Sequence, residues 1–160
     1  MRGPRGSAVA ARPNRAALAV AAAQDYFFQN PFVGVLTGLL MNTFPFARTG
    51  NIRDSLEYCG SLADKGWSLL IYPEGTRSEH GALLPFKAGV GLLATQMDVP
   101  IVPIAVSGGW EILPKGTFFP NPGPVTVRFG AALRFSDTEN PTGVSQRLQN
   151  AVAELMNVET

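Results

Sequence analysis

Chemistry-bearing side chains are scarce in this sequence: its 160 residues hold one cysteine, Cys59, and one histidine, His80. A lone cysteine excludes an internal disulfide and any cysteine-rich zinc cluster, and it suits a reducing compartment. Cys59 reads as a small apolar filler in a helix, and no metal site is expected. Charge is sparse too. Only 16% of residues are charged and the net charge is +1, so the basic field of a nucleic-acid-binding protein is missing. No apolar stretch reaches the ~18 residues that a membrane-spanning helix needs. The Gly-x-Ser-x-Gly elbow of α/β-hydrolases is absent as well, which removes that class of serine chemistry.

What is present is apolar: 46% of residues are hydrophobic, in a chain whose 17.1 kDa is the size of one domain. Arg2, Arg5, Arg12 and Arg15 precede the first acidic residue and run into an alanine-rich stretch, Ala16 to Ala23. That stretch is a weak candidate for an export signal, being short and only mildly hydrophobic. Residues 1–16 are therefore expected to be a disordered or non-native leader, and 17–160 the domain.

Leu18 to Ala22 predicts a short buried strand, and Phe32 to Met41 a helix after a turn rich in aromatics. Phe44 to Ala47, marked by Pro45, predicts an edge strand with Arg48 at its end. Asn51 can cap a helix in which Ile52, Leu56, Cys59, Leu62 and Ala63 share a face, with Gly66 at the stop position. The continuous apolar run Trp67 to Tyr72 predicts a central strand covered on both faces. A helix from Phe86 to Met97, with Val90, Leu93, Ala94 and Met97 inward, and a buried strand from Ile101 to Val106 follow. Residues Gly108 to Pro124, with four prolines and four glycines, predict an irregular connection. Val125, Val127 and Phe129 alternate with Thr126 and Arg128 as a strand with one wetter face. A last helix from Thr142 to Met156 buries Val144, Leu148, Val152 and Leu155. Strand and helix alternate, which argues an α/β fold with a mainly parallel or mixed sheet flanked by helices.

Sheets of this kind bind ligands beyond the C-terminal ends of their strands, where Pro73-Glu74-Gly75-Thr76-Arg77-Ser78 stands. Gly75 lets a ligand approach the backbone, Thr76 and Ser78 bring hydroxyls, and Arg77 brings a fork of donors suited to phosphate oxygens. Together they describe a phosphate cradle. Glu74 would repel a phosphate it faced, so it either holds Arg77 in place or accepts from a substrate hydroxyl. The plainer alternative is a surface turn in which Glu74 and Arg77 merely pair with each other.

Tyr72 to Ser78 resembles the third sequence block of the phospholipid and glycerol acyltransferase family, which includes the lysophosphatidic acid acyltransferases. Phe44-Pro45-Phe46-Ala47-Arg48 is similar to the second block, and Val99-Pro100-Ile101-Val102-Pro103-Ile104-Ala105 to the fourth. The resemblance covers roughly residues 17–156 with the blocks in order. It implies transfer of a fatty acyl group from coenzyme A or acyl carrier protein to a hydroxyl of a glycerol phosphate or lysophospholipid. No cofactor beyond that thioester co-substrate is implied. Carried over, Arg48 and Arg77 become phosphate ligands, Glu74, Gly75, Thr76 and Ser78 build the loop, and Pro103 belongs to the acyl-donor side. Lys87, in the family-like Pro85-Phe86-Lys87-Ala88-Gly89, is either a further anion ligand or a solvated helix-end charge. Lipidic substrates imply a peripheral position on the cytoplasmic face of a membrane. Phe27, Phe28, Phe32, Phe118 and Phe119 are candidates for the interfacial surface, and equally for the core.

The family's first block, His-x-x-x-x-Asp, supplies the base that takes the acceptor's proton, and this sequence does not contain it. Five places after His80 stands Pro85, and His80 follows the third block instead of preceding the second. It reads as an exposed loop histidine. No catalytic residue can be assigned, and the chain is expected to be a late-starting copy with little activity of its own. A lysophospholipid- or phosphate-binding module is the alternative. On the first expectation, in-frame coding sequence upstream encodes His-x-x-x-x-Asp within a few tens of residues. A stop codon immediately before Met1 would contradict it.

Overall fold

A computed structural model describes residues 18–23, 43–46, 52–114, 116–117 and 119–158 of the chain. They form two compact units, the first ending at Ile71 and the second beginning at Tyr72. The expected helix at 32–41, the Asn51 cap, Arg48 and the residues of the expected leader lie outside the described residues, as do Phe27, Phe28, Phe32 and Phe118.

In the first unit a three-stranded parallel sheet has the order β2-β1-β3, with β1 at Leu18–Ala23, β2 at Thr43–Phe46 and β3 at Ser68–Leu70. Val20 of β1 stands opposite Thr43 on one side and Leu70 on the other. A strand with parallel neighbours on both sides is the place for an unbroken apolar run, and Leu-Ala-Val-Ala-Ala-Ala provides one. The helix α1, Ile52–Asp64, buries Leu56, Cys59 and Leu62 at the predicted spacing. It stops where expected. Gly66, at φ +82, donates to Ala63 at 2.8 Å while Trp67 donates to Leu62 at 3.0 Å, a paired termination that requires the left-handed glycine. Burial also pushes the Cys59 thiol up to about 11.

The strand expected at 67–72 needs correction. Only Ser68–Leu70 pairs, on one side, with Ser68 exposed and Leu69 and Leu70 half-buried. An apolar run reports that side chains leave water; it does not say whether the strand is central, and among the described residues β3 is an edge.

The second unit is built on two crossing helices, α2 at Ala88–Gln96 and a longer one at Pro141–Met156 (α4, after the short α3 described next). Between α2 and α4 come β4 at Ile104–Ser107, a single-turn helix α3 at Gly109–Ile112 and β5 at Thr126–Phe129. The long helix begins as its sequence dictates. Asn140 accepts from the Thr142 amide at 2.9 Å, and Pro141 takes the first turn, where no N–H is needed. Val144, 1% exposed, and Leu148 pack with Ala94 of α2 and Phe135, joined by Phe86, Val90, Ile101 and Leu133. That cluster is the core of the unit.

Strands β4 and β5 pair antiparallel, Ala105 opposite Arg128 and Val106 opposite Val127. The chain is thus α/β with parallel and antiparallel pairs. Which face is dry differs from expectation. Pro103 and Ala105 are buried, and the Pro103 ring and Leu155 close over the Cα of Gly130, so Pro103, Ala105, Arg128 and Gly130 share the face toward α4. Val102, Val106, Val127 and Phe129 stand on the open face, with Phe129 68% exposed. Alternation located the strand correctly; the helix chose the face bearing small residues, because only there can it approach closely. Phe119 is 87% exposed.

The helix crossing depends on Gly91. A Cβ there would overlap the Pro141 carbonyl oxygen, at the first turn of α4. Gly91→Ala is expected to cost about 1–3 kcal/mol of stability through forced separation of the helices. Chemical denaturation checks it; an unchanged midpoint would mean that the helices do not cross this closely.

Candidate anion-binding loop

The motif opens the second unit with a tight turn. Pro73 occupies its first central position, and the Gly75 amide donates to the Tyr72 carbonyl at 3.1 Å. Gly75 has φ +72, a conformation that a side chain would strain, which is the physical reason for glycine there. The Pro73 carbonyl accepts from the Lys87 amide at 2.9 Å, tying the turn to the entry of α2.

That entry has no cap of its own, since Lys87 stands at the N-cap position and makes no side-chain cap bond. Two polar side chains of α4 serve it instead. The Ser145 hydroxyl accepts from the Gly91 amide at 3.1 Å and donates to the Lys87 carbonyl at 3.2 Å, and Gln149 Oε1 accepts from the Phe86 amide at 3.0 Å. Ser145 is buried, so these bonds form in a setting where leaving the helix-start amides unpaired would cost about 1–3 kcal/mol each.

Glu74 Oε2 accepts from the Leu84 amide at 2.7 Å, which closes residues 74–84 into a loop with a defined neck. The expected contact between Glu74 and Arg77 is therefore not made, either as a steering interaction or as the plain surface pair. A carboxylate bonded to a part-buried amide gains more than one pairing with an exposed guanidinium, where solvent screening leaves little. Arg77 is exposed and makes no hydrogen bond or ion pair with the described residues. Its donors are open to a ligand.

Thr76 to His80, with Ala82 and Leu84, line a hollow of about 240 Å³. That is smaller than the ~300–1,000 Å³ of pockets that enclose drug-sized ligands. Ser78 Oγ accepts from the His80 amide at 3.3 Å, which holds the loop's shape and leaves the hydroxyl hydrogen to donate outward. His80 is exposed, as expected of a loop histidine.

The structure thus brings Glu74, Gly75, Thr76, Arg77 and Ser78 together on one pinned loop. Lys87 contributes its backbone, while its side chain is exposed and does not line the hollow. Pro103 lies outside it, buried at the start of β4, where its carbonyl accepts from the Gly130 amide at 2.9 Å. No group of three or more potential metal ligands occurs among the described residues. Sequence reading missed Ser145 and Gln149; the available signal was the absence of any capping residue at 87, which means the cap must come from elsewhere.

A family model described as Acyltransferase matches residues 7–107, well over half of the chain. The chain belongs to the acyltransferase family. The chain is 47% identical over 76 residues to a 1-acyl-sn-glycerol-3-phosphate acyltransferase of Limnanthes douglasii, covering 48% of the chain and 27% of that relative. It is 48% identical over 63 residues to the human 1-acyl-sn-glycerol-3-phosphate acyltransferase beta, covering 39% of the chain and 23% of the relative. The match thus spans about a quarter of these relatives. The crystal structure of the 1-acyl-sn-glycerophosphate (LPA) acyltransferase PlsC of Thermotoga maritima shares the fold, with a TM-score of 0.63 at 24% identity over 89% of this chain and 58% of that one.

If the Glu74 carboxylate closes the neck of the loop, Glu74→Ala should speed hydrogen exchange at the Leu84 amide about tenfold or more, the worth of a bond to a charged group. Exchange at Leu84 unaffected by the substitution would place the neck elsewhere.

Proposed function

We propose that this acyltransferase chain binds the phosphate of a glycerol phosphate or lysophospholipid acceptor, for acyl transfer in phospholipid synthesis. The observation that carries the reading is the Arg77 guanidinium: exposed, free of protein partners among the described residues, on a loop fixed at neck and turn. A guanidinium matches two phosphate oxygens with parallel bonds, and a pre-formed loop loses little entropy in presenting it. Thr76 and Ser78 add hydroxyl donors beside it. Arg48 is proposed as a second phosphate ligand. Lys87 is proposed for longer-range attraction, and Pro103 for backbone shape on the donor side.

In the reaction, an acceptor hydroxyl attacks the carbonyl carbon of an acyl thioester of coenzyme A or acyl carrier protein. A C–O bond forms, the C–S bond breaks, and the hydroxyl proton passes through a general base to the thiol. No cofactor is needed for those steps. No residue of this chain is assigned as that base, since its only histidine, His80, follows the loop and has no aspartate five places on. Without it the transfer step is expected to fall by about two to four orders of magnitude, although binding persists. Substrates that live in bilayers, together with the exposed Phe119, support a peripheral place on the cytoplasmic face of a membrane.

The test pairs binding with turnover. The chain should bind lysophosphatidate in mixed micelles, Arg77→Ala should weaken that binding about tenfold or more with no change in folding, and transfer from acyl-coenzyme A should be nearly absent. Equal binding by parent and Arg77→Ala would refute the reading. Vigorous turnover by the chain alone would refute the account of the missing base. If a longer form carrying a histidine block also fails to turn over while lysolipid binding persists, the domain is a binding module.

A further inference from the structure

The anion-binding loop is fastened at a third point, from a segment that the family motifs do not include. The Trp110 indole N–H donates to the Glu79 carbonyl at 2.7 Å. The indole also lies against Gly81, where an added Cβ would sit 3.5 Å from the Trp110 Cβ. Gly81 has φ +73, so this part of the loop turns through a left-handed conformation beneath the ring.

Trp110 is held firmly enough to do this. It stands in α3, and the glycine before that helix, Gly108, has φ +88 and approaches the Pro124 carbonyl so closely that a Cβ would overlap it. The far end of the turn is braced by the Asn121 amide donating to the Ile112 carbonyl at 2.7 Å. Trp110 is 39% exposed, so the ring is a surface brace and not part of the core. Glu79 borders both the anion hollow and a second, open hollow of about 520 Å³ beside Trp110, Pro114 and Gly116. The indole thus fixes the backbone that divides the two.

Resting on the phosphate-binding reading above, we infer that Trp110 is a positioning residue for acceptor binding: through the Glu79 carbonyl and Gly81 it fixes the part of the loop that Glu79 contributes to the hollow that Arg77 also lines. Between the turn closed by the Gly75 amide and the Ser78 hydroxyl bonded to His80, only Thr76 and Arg77 remain to be ordered by the ligand. The Trp110 hydrogen bond therefore contributes to affinity by lowering the entropy lost on binding.

Trp110→Phe keeps the ring and removes the donor. With sn-glycerol 3-phosphate as probe, the variant should unfold at the parent's midpoint yet bind about three- to tenfold more weakly, the range that one hydrogen bond commands. Trypsin should also cleave after Arg77 faster than in the parent, and the probe should protect less. A purely structural residue would shift the unfolding midpoint and leave cleavage by the folded protein unchanged. Parent-like binding and cleavage in Trp110→Phe overturn the inference. Arg77→Ala run alongside separates the failures: if it too binds normally, the phosphate reading is wrong, whereas if it weakens binding and Trp110→Phe does not, only the role of Trp110 is wrong. Should Trp110→Phe fail to fold, hydrogen exchange at Glu79 and Gly81 in the parent decides, with slowing by the probe in support and no change against.

Discussion

The Glu74 carboxylate is committed to the Leu84 amide, and the character of the site follows from that one bond. Had the carboxylate paired with Arg77, the loop would carry a neutralised couple of little use to an anion. Because the carboxylate closes the neck instead, the guanidinium three places on stays available. Two oppositely charged residues in the same short motif therefore do unlike work: the Glu74 carboxylate shapes the loop, and the Arg77 guanidinium is left exposed.

A loop can be pre-shaped only if its ends are anchored in something stiff. Here the anchor is the crossing of α2 and α4, which approach closely because Gly91 has no side chain. The same closeness lets Ser145 reach across and bond both the Gly91 amide and the Lys87 carbonyl. Lys87 then holds Pro73 through its own amide. The line of support runs from the Val144 and Leu148 core, through a buried hydroxyl, to the turn that opens the motif. Buried polar groups of this sort are costly when half-satisfied and stiff when complete, and Ser145 uses its hydroxyl as both donor and acceptor.

Much of this was legible in the sequence, and the limits have physical causes. The helix at Ile52–Asp64 and its stop at Gly66 could be read because periodicity and a left-handed terminator are local signals. The motif loop could be singled out because its residue types suit a phosphate and its order resembles a family block, although the residue types alone left a plain surface turn equally open. The partner of Glu74 could not be read, since a carboxylate three places from an arginine looks like an ion pair until the backbone shows an amide closer to hand. The dry face of β5 was misread, and β4 was expected to be buried where Val102 and Val106 are exposed, for a related reason. Alternation gives two faces, and the choice between them was made by a helix that prefers Pro103, Ala105 and Gly130 to larger neighbours. Capping by Ser145 and Gln149 and bracing by Trp110 act across 31 to 63 residues of chain, beyond the reach of any local pattern.

The family supplies a reaction, and the reading proposed for this chain is a grip on the acceptor's phosphate through the loop that carries Arg77. That proposed grip can be measured without an acyl donor, and so with no contribution from turnover. Titrating sn-glycerol 3-phosphate into the isotope-labelled chain and following its amide resonances is the most direct measurement of that grip. The account predicts saturable shifts concentrated at Gly75 to Leu84 and centred on Arg77. Shifts spread evenly over the chain, or centred away from this loop, would contradict it.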